Sequence, residues 1–275
     1  MLGSHQRSGP RHVIVLDDHD HVSGDKIRFS SDAKPRHQVV AGVAIQLFSL
    51  GIPCIYYGTE QAFAGPEKSE RDQYLPDYNA GNPPPDKYLR EIMFGAEHPR
   101  LSGRDGLQPG AAGMDTTLPA FGAFGTVGHH CFDDTFPAFK RIRALIALRR
   151  ERPVFRYGRQ YLRDISNSNQ AFAPAKAGEL IAWSRILDEE EALCIVNGNG
   201  DDFRGADIVV DTRLNADGNA FLQVIHNSAQ TVAGAGYTGS HPVAERLPVK
   251  TRDGIAYVEV RNVAPSEVLV ITNLP

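Results

Sequence analysis

One stretch constrains this chain more than any other. Val13-Ile14-Val15-Leu16 runs directly into Asp17-Asp18-His19-Asp20. Four consecutive apolar residues predict a short strand covered on both faces, as in parallel sheets. Three carboxylates cannot extend such a strand, because an unpaired buried charge is too costly. They must stand where the strand emerges into a cleft or into water. In barrels and open α/β sheets, the carboxyl ends of strands are where active sites are built.

The following residues extend this into a strand-helix-strand unit. Ser30, Ser31 and Asp32 are candidate N-caps, with Pro35 near the first turn. Residues 37–50 carry no formal charge, and Val40, Val43, Ala44, Leu47 and Leu50 recur at helical spacing. Ala41, Ile45 and Phe48 widen the stripe, so the helix is expected to be buried over most of its circumference. Gly51 suits the position just past its end, and Pro53 prevents it from resuming. Residues 52–57 predict a second strand, which again runs into an acid through Gly58-Thr59-Glu60. A βαβ unit implies a parallel pair with a right-handed crossover.

Residues 61–135 are rich in proline and glycine, including Pro83-Pro84-Pro85. One short helix is expected at 86–94. A loop this long is either a wall of a substrate cleft or a surface excursion. Residues 136–152 form a clear amphipathic helix, with Phe139, Ile142, Leu145, Ile146 and Leu148 on its apolar side. Arg149, Arg150 and Arg152 collect at its C-terminal end, where cations complement the helix dipole. After Pro153 the apolar period changes from 3.6 to two. Strands are expected at 154–157, 160–162, 180–186, 192–197, 208–211, 221–226, 246–251, 255–260 and 268–272. That density of short strands predicts an antiparallel sandwich. The expected division is therefore residues 1–153 and 154–275.

The 275-residue chain is 41% hydrophobic and 23% charged, enough apolar material for a substantial core. Its formal net charge of -4 gives no basis for binding nucleic acid or an anionic membrane surface. No apolar stretch is long enough to span a bilayer as a helix. Cys54, Cys131 and Cys194 are dispersed and in no metal-ligand spacing. They lean toward a reducing compartment such as the cytoplasm. Residues 1–11 contain no apolar signal-peptide core.

Several of these segments resemble the α-amylase family, glycoside hydrolase family thirteen. Leu16-Asp17-Asp18-His19-Asp20 is similar to the family's fourth signature region, at the end of the seventh barrel strand. Gly51-Ile52-Pro53-Cys54-Ile55-Tyr56-Tyr57-Gly58-Thr59-Glu60-Gln61 resembles the passage through the eighth strand. Arg90-Glu91-Ile92-Met93-Phe94-Gly95 is similar to a piece of the loop beyond it, and the β-rich end resembles the family's domain C. The resemblance implies an α/β plus all-β fold: the C-terminal part of a (β/α)₈ TIM barrel, then an antiparallel β-sandwich. It also implies cleavage or transfer of α-glucosidic bonds with retention, using a nucleophile and an acid/base about 5–5.5 Å apart.

In the family those two carboxylates follow the fourth and fifth strands, and no stretch here matches those regions. The expectation is a C-terminal portion, or one half of a split enzyme, inactive alone. Two strands cannot close a barrel, so their faces would be left open. By resemblance, Asp20 is the third catalytic carboxylate, which stabilises the transition state. His19 is the sugar-binding histidine, and Asp18 and Glu60 are supporting groups. Asp17 reads as structural, and Arg28 as either a contact of the acidic cluster or a solvated charge. The expected partners are an α-glucan or oligosaccharide and the missing half of the barrel. No cofactor is implied, and calcium, which some members hold, is not readable.

Two other readings stay open. The sandwich with its partial barrel can be a non-catalytic α-glucan-binding module. Alternatively, Asp17 through His21 can ligate the ion of a metal-dependent hydrolase. His129-His130-Cys131 beside Asp133-Asp134 lacks a complementary ligand pair. Trp183 and Tyr257 can stack on sugar, although buried core aromatics are the commoner case.

Overall fold

The computed structural model describes residues 9–20, 28–29, 38–61, 134–167, 169–216, 220–229 and 240–274. The expected N-caps at 30–32, the helix at 86–94, the segment 90–95, His21 and residues 129–133 lie outside them. By its contacts the chain divides into two compact units. One comprises Met1–Ile14, Val40–Pro53 and Arg141–Pro275, the other Val15–Val39 and Cys54–Lys140.

The strand-helix-strand order is present. β1 is Val13–Val15, α1 is Gln38–Phe48 and β2 is Ile52–Cys54. The two strands are neighbours in a two-stranded sheet, with the Ile52 amide donating to the His12 carbonyl at 2.7 Å. α1 is buried nearly all round, as its unbroken apolar sequence requires: Val39, Val40, Ala41, Val43, Ala44, Leu47 and Phe48 are all covered. Its one polar buried residue, Gln46, donates to the Ile14 carbonyl at 2.6 Å. Gly51 has φ of +144°, and a Cβ there would stand 2.7 Å from the Ile14 side chain. Both conformation and space therefore demand glycine.

The expectation that β1 is covered on both faces does not hold. Val13 is 59% exposed, Val15 51% and Ile52 48%. Only two strands make up this sheet among the described residues. The apolar side chains are thus those of a buried strand, but their cover is not supplied by the described residues.

The rest is mainly antiparallel sheet. After α2, Pro137–Glu151, the chain makes a one-turn helix, α3, Val154–Tyr157. A strand was expected there. Pro153 instead adopts helical angles and opens a turn, closed by the Arg156 amide on the Pro153 carbonyl at 2.9 Å. Burial of Val154 and Phe155 satisfies the apolar pair equally well in this form.

Ten strands follow among the described residues: β3 Arg159–Leu162, β4 Ile165–Ser166, β5 Leu180–Leu187, β6 Glu190–Asn197, β7 Arg204–Val209, β8 Phe221–Asn227, β9 Arg246–Pro248, β10 Lys250–Arg252, β11 Ile255–Val263 and β12 Val268–Thr272. They form a six-stranded sheet, β3-β5-β6-β12-β8-β9, and a four-stranded sheet, β10-β11-β7-β4. The expected single strand at 246–251 is two strands in different sheets. The chain crosses between them at Val249, whose amide donates to the Ala220 carbonyl at 2.9 Å.

One core is shared by both sheets. Leu180, Ala182, Leu193, Ile195, Leu269 and Ile271 come from the first, and Ala206, Ile208, Val258 and Val260 from the second. The alternate residues of the six-stranded sheet are buried too. Trp183 faces Cys194, which faces Val270, and all three are covered. Trp183 donates its indole N–H to the Phe48 carbonyl at 3.1 Å, so α1 lies against this outer face. Tyr257 is buried beside Phe172, their ring centroids 5.6 Å apart. Both aromatics are core residues.

Candidate active site

β1 ends at Val15, and the acids begin two residues later. Asp17 is buried, which a lone carboxylate would not tolerate. Its Oδ1 accepts from the Phe29 amide at 2.6 Å, and its Oδ2 accepts from the Thr59 hydroxyl at 3.0 Å. Asp17 thus ties the strand end to two other segments. Asp18 is half-buried, and its Oδ1 accepts from the Asp20 amide at 2.9 Å. This side-chain-to-backbone bond closes a turn that lifts the next two residues outward. His19 and Asp20 lie side by side, with Nε2 to Oδ2 at 3.3 Å and side chains 59% and 53% exposed.

The loop after β2 supplies the neighbours. The Tyr56 ring lies 6.3 Å from the His19 ring, tilted by 44°. Tyr57 packs edge-on against Tyr56 at 4.6 Å. Arg28 is fully buried: its guanidinium sits 4.3 Å from the Tyr56 ring centre and 5.3 Å from that of Tyr57. Its Nη1 donates to the Tyr57 carbonyl at 2.8 Å. The solvated reading of Arg28 is therefore wrong, and the residue organises the aromatic pair instead. Glu60 stands half-buried in a short 3₁₀ turn, Thr59–Gln61. Burial raises its carboxyl above the ordinary value, against backbone hydrogen bonds at Glu60 and Gly58 and the Arg28 charge.

The structure thus places Asp18, His19 and Asp20 on one turn, with Glu60 in the loop that supplies their aromatic neighbours. Tyr56, Tyr57 and Thr59 were not singled out in the sequence. The available signal was two aromatics and a glycine at a strand end, mirroring the acids at the end of β1. Among the described residues, no three His, Cys, Asp or Glu side chains converge as a metal site. Chemically, the turn offers an imidazole and a carboxylate to hydroxyl groups.

No family model and no curated protein sequence matches the chain. Solved structures do. A cyclomaltodextrin glucanotransferase with a three-domain ABC distribution matches 98% of this chain with a TM-score of 0.53 at 18% identity. The γ-cyclodextrin glucanotransferase of alkalophilic Bacillus clarkii matches 98% at 0.52 and 16%. Isomaltulose synthase from Klebsiella sp. LX3 matches 95% at 0.51 and 16%. The fold is that of part of each of these enzymes. The chain spans 38%, 28% and 43% of those three chains, in the same order. Its antiparallel sheets correspond to the all-β C-terminal domain of such enzymes. Among the described residues, no helix is long and apolar enough to cross a membrane.

Proposed function

We propose that this chain is the C-terminal portion of an α-amylase-family enzyme that hydrolyses or transfers α-glucosidic bonds when complete. In this reading residues 1–153 carry the last two barrel strands and 154–275 the sandwich. The observation that carries it is the exposed His19–Asp20 pair, set on a turn at the end of β1 in a chain of this fold.

Asp20 acts on the sugar rather than on the scissile bond. Its carboxylate accepts hydrogen bonds from the 2- and 3-hydroxyls, and these strengthen as the ring becomes oxocarbenium-like. His19 donates to a neighbouring hydroxyl. Asp18 sets the turn that aims both residues, and Glu60 and the Arg28–Tyr56 stack form the adjoining wall. The nucleophile and the acid/base come from polypeptide not matched here. The exposed Val13, Val15 and Ile52 support a partner of the same kind, because they are side chains suited to the interior of a larger sheet.

Two measurements test this. The purified chain should not turn over a nitrophenyl maltoside. Supplied with the polypeptide encoded immediately upstream of it, it should become active, and Asp20→Asn should abolish that activity. Turnover by the isolated chain, or a reconstituted enzyme indifferent to Asp20→Asn, defeats the proposal.

A further inference from the structure

From the end of β6 toward β7 the chain reads Asn197-Gly198-Asn199-Gly200-Asp201-Asp202. The turn holds two Asn-Gly pairs in succession. Such a pair is chemically labile, because glycine has no Cβ to shield its amide nitrogen from the asparagine side chain before it. That nitrogen can attack Cγ, expel ammonia and close a succinimide ring.

The structure treats the two pairs differently. Asn197 is buried, and its Nδ2 donates to the carbonyls of Asp202, Val263 and Ala264 at 2.9, 3.0 and 3.0 Å. Its Oδ1 accepts from the Asn199 amide at 2.9 Å. Loss of this Nδ2 as ammonia would strand three carbonyls around a group shielded from water.

Asn199 is half-buried. Its Nδ2 makes one long contact, 3.5 Å to Asp202 Oδ2, so the leaving group is not locked in place. Its Oδ1 accepts from the Asp201 and Asp202 amides, each at 2.8 Å. The first of these bonds folds the side chain back along the backbone over Gly200. Two N–H groups on one carbonyl oxygen form the arrangement that stabilises the oxyanion of an acyl-transfer intermediate. Attack by the Gly200 nitrogen develops its negative charge on that same Oδ1. The Asp202 carboxylate, paired with Arg204 at 3.1 Å, stands on the side of the departing nitrogen.

We propose that Asn199 is a built-in deamidation site, activated by the Asp201 and Asp202 amides, while Asn197 is held inert. The Gly200 nitrogen gives up its proton to solvent base and bonds to Asn199 Cγ. The Cγ–Nδ2 bond breaks, and Nδ2 takes up a proton and leaves as ammonia. One water then opens the succinimide. Opening at Cγ leaves aspartate, and opening at the backbone carbonyl leaves isoaspartate, with the chain running through Cβ. Either product adds a negative charge beside Asp201 and Asp202. Isoaspartate also turns the carbonyl that accepts from the Ser266 amide, at 3.1 Å, into a free carboxylate, loosening the turn before β12.

Ageing the purified full chain in mildly alkaline buffer tests this, with fragment mass spectrometry of tryptic peptide 186–204 locating each exchange of nitrogen for oxygen. In the folded chain Asn199 should convert at least about ten-fold faster than Asn197, less than one oxyanion donor contributes in an enzyme. In urea Asn197 should become as reactive as Asn199, and Asn199 should react no faster than it does when folded. Gly200→Ala should suppress conversion at Asn199, with circular dichroism showing that the variant is folded. Equal rates at the two asparagines in the folded chain overturn the proposal, as does faster conversion of Asn199 in urea. So does a folded Gly200→Ala variant that converts like wild type, because direct hydrolysis needs no attacking amide.

Discussion

Arg185, in β5, donates to the carbonyl of Phe48, the last residue of α1, at 2.9 Å. The same nitrogen reaches the Ser49 carbonyl, and the other terminal nitrogen reaches the Gly158 carbonyl at 2.7 Å. Arg149 of α2 donates to the carbonyls of Leu47 and Gly51. A helix end leaves its last carbonyls unsatisfied and carries partial negative charge. Here the buried Arg185, the half-buried Arg149 and the Trp183 indole complete the end of α1. The sequence placed Arg149 at the end of its own helix, but its guanidinium serves another. Burial lowers the Arg185 guanidinium to about 10, so it stays charged at neutral pH.

Arg185→Leu should therefore destabilise the chain by about 3 kcal/mol, since several buried carbonyls lose a charged donor at once. Arg185→Lys keeps the charge but not the fork, so it should fall between the two. Urea unfolding measures both. A loss under about 1 kcal/mol for Arg185→Leu would show that the carbonyls find other partners.

Asp17 and its neighbours Asp18, His19 and Asp20 should separate cleanly by stability. Asp17→Ala strands the Phe29 amide and the Thr59 hydroxyl, and should cost about 2 kcal/mol. Paired with Thr59→Val, it should show a coupling of about 1 kcal/mol in a double-mutant cycle. His19→Ala and Asp20→Ala remove exposed side chains and should stay within about 0.5 kcal/mol of wild type. Additive effects at Asp17 and Thr59 would count against the tether.

Gly51→Ala should cost about 2 kcal/mol or more. The methyl group must enter a backbone conformation that suits glycine and must displace Ile14. A thermal melt reads the change, and an unshifted midpoint would show that the segment relaxes.

His226 should make the sandwich acid-sensitive. Burial lowers its imidazole from 6.5 to about 4. The unfolded chain therefore binds the extra proton first as pH falls. The stability associated with neutral His226 is complete above about pH 6.5 and is lost progressively toward about pH 4. The full difference is on the order of 3 kcal/mol. Glu60 acts in the opposite sense, because its raised value gives stability below the ordinary carboxyl range that is lost as pH rises. Subtracting the profile of His226→Gln from that of wild type should isolate the histidine contribution. Parallel profiles between pH 4 and 7 would contradict it.

Local pattern revealed the elements whose reasons are local. Val268–Thr272 forms a strand over the expected residues, and the uncharged run at 37–50 forms a buried helix. Pro153 and Val249 show the limit. A Val-Phe pair after proline packs equally well as strand or helical turn. Nothing within residues 246–251 records that the partner strand changes from β8 to β11. The acids after β1 were legible as the end of the strand, because unpaired charge does not continue an apolar run. Arg28 was not, since its burial depends on Tyr56 and Tyr57, which lie 28 and 29 residues away.

The completed end of α1 also sets an order of events during synthesis. Phe48 and Arg185 are separated by 137 positions. A growing chain exposes the uncharged face of α1 long before β5 leaves the ribosome. That helix must wait with its apolar residues unprotected for several seconds at ordinary elongation rates. The vulnerable interval in the life of this protein therefore falls during translation, and it closes when the sandwich arrives.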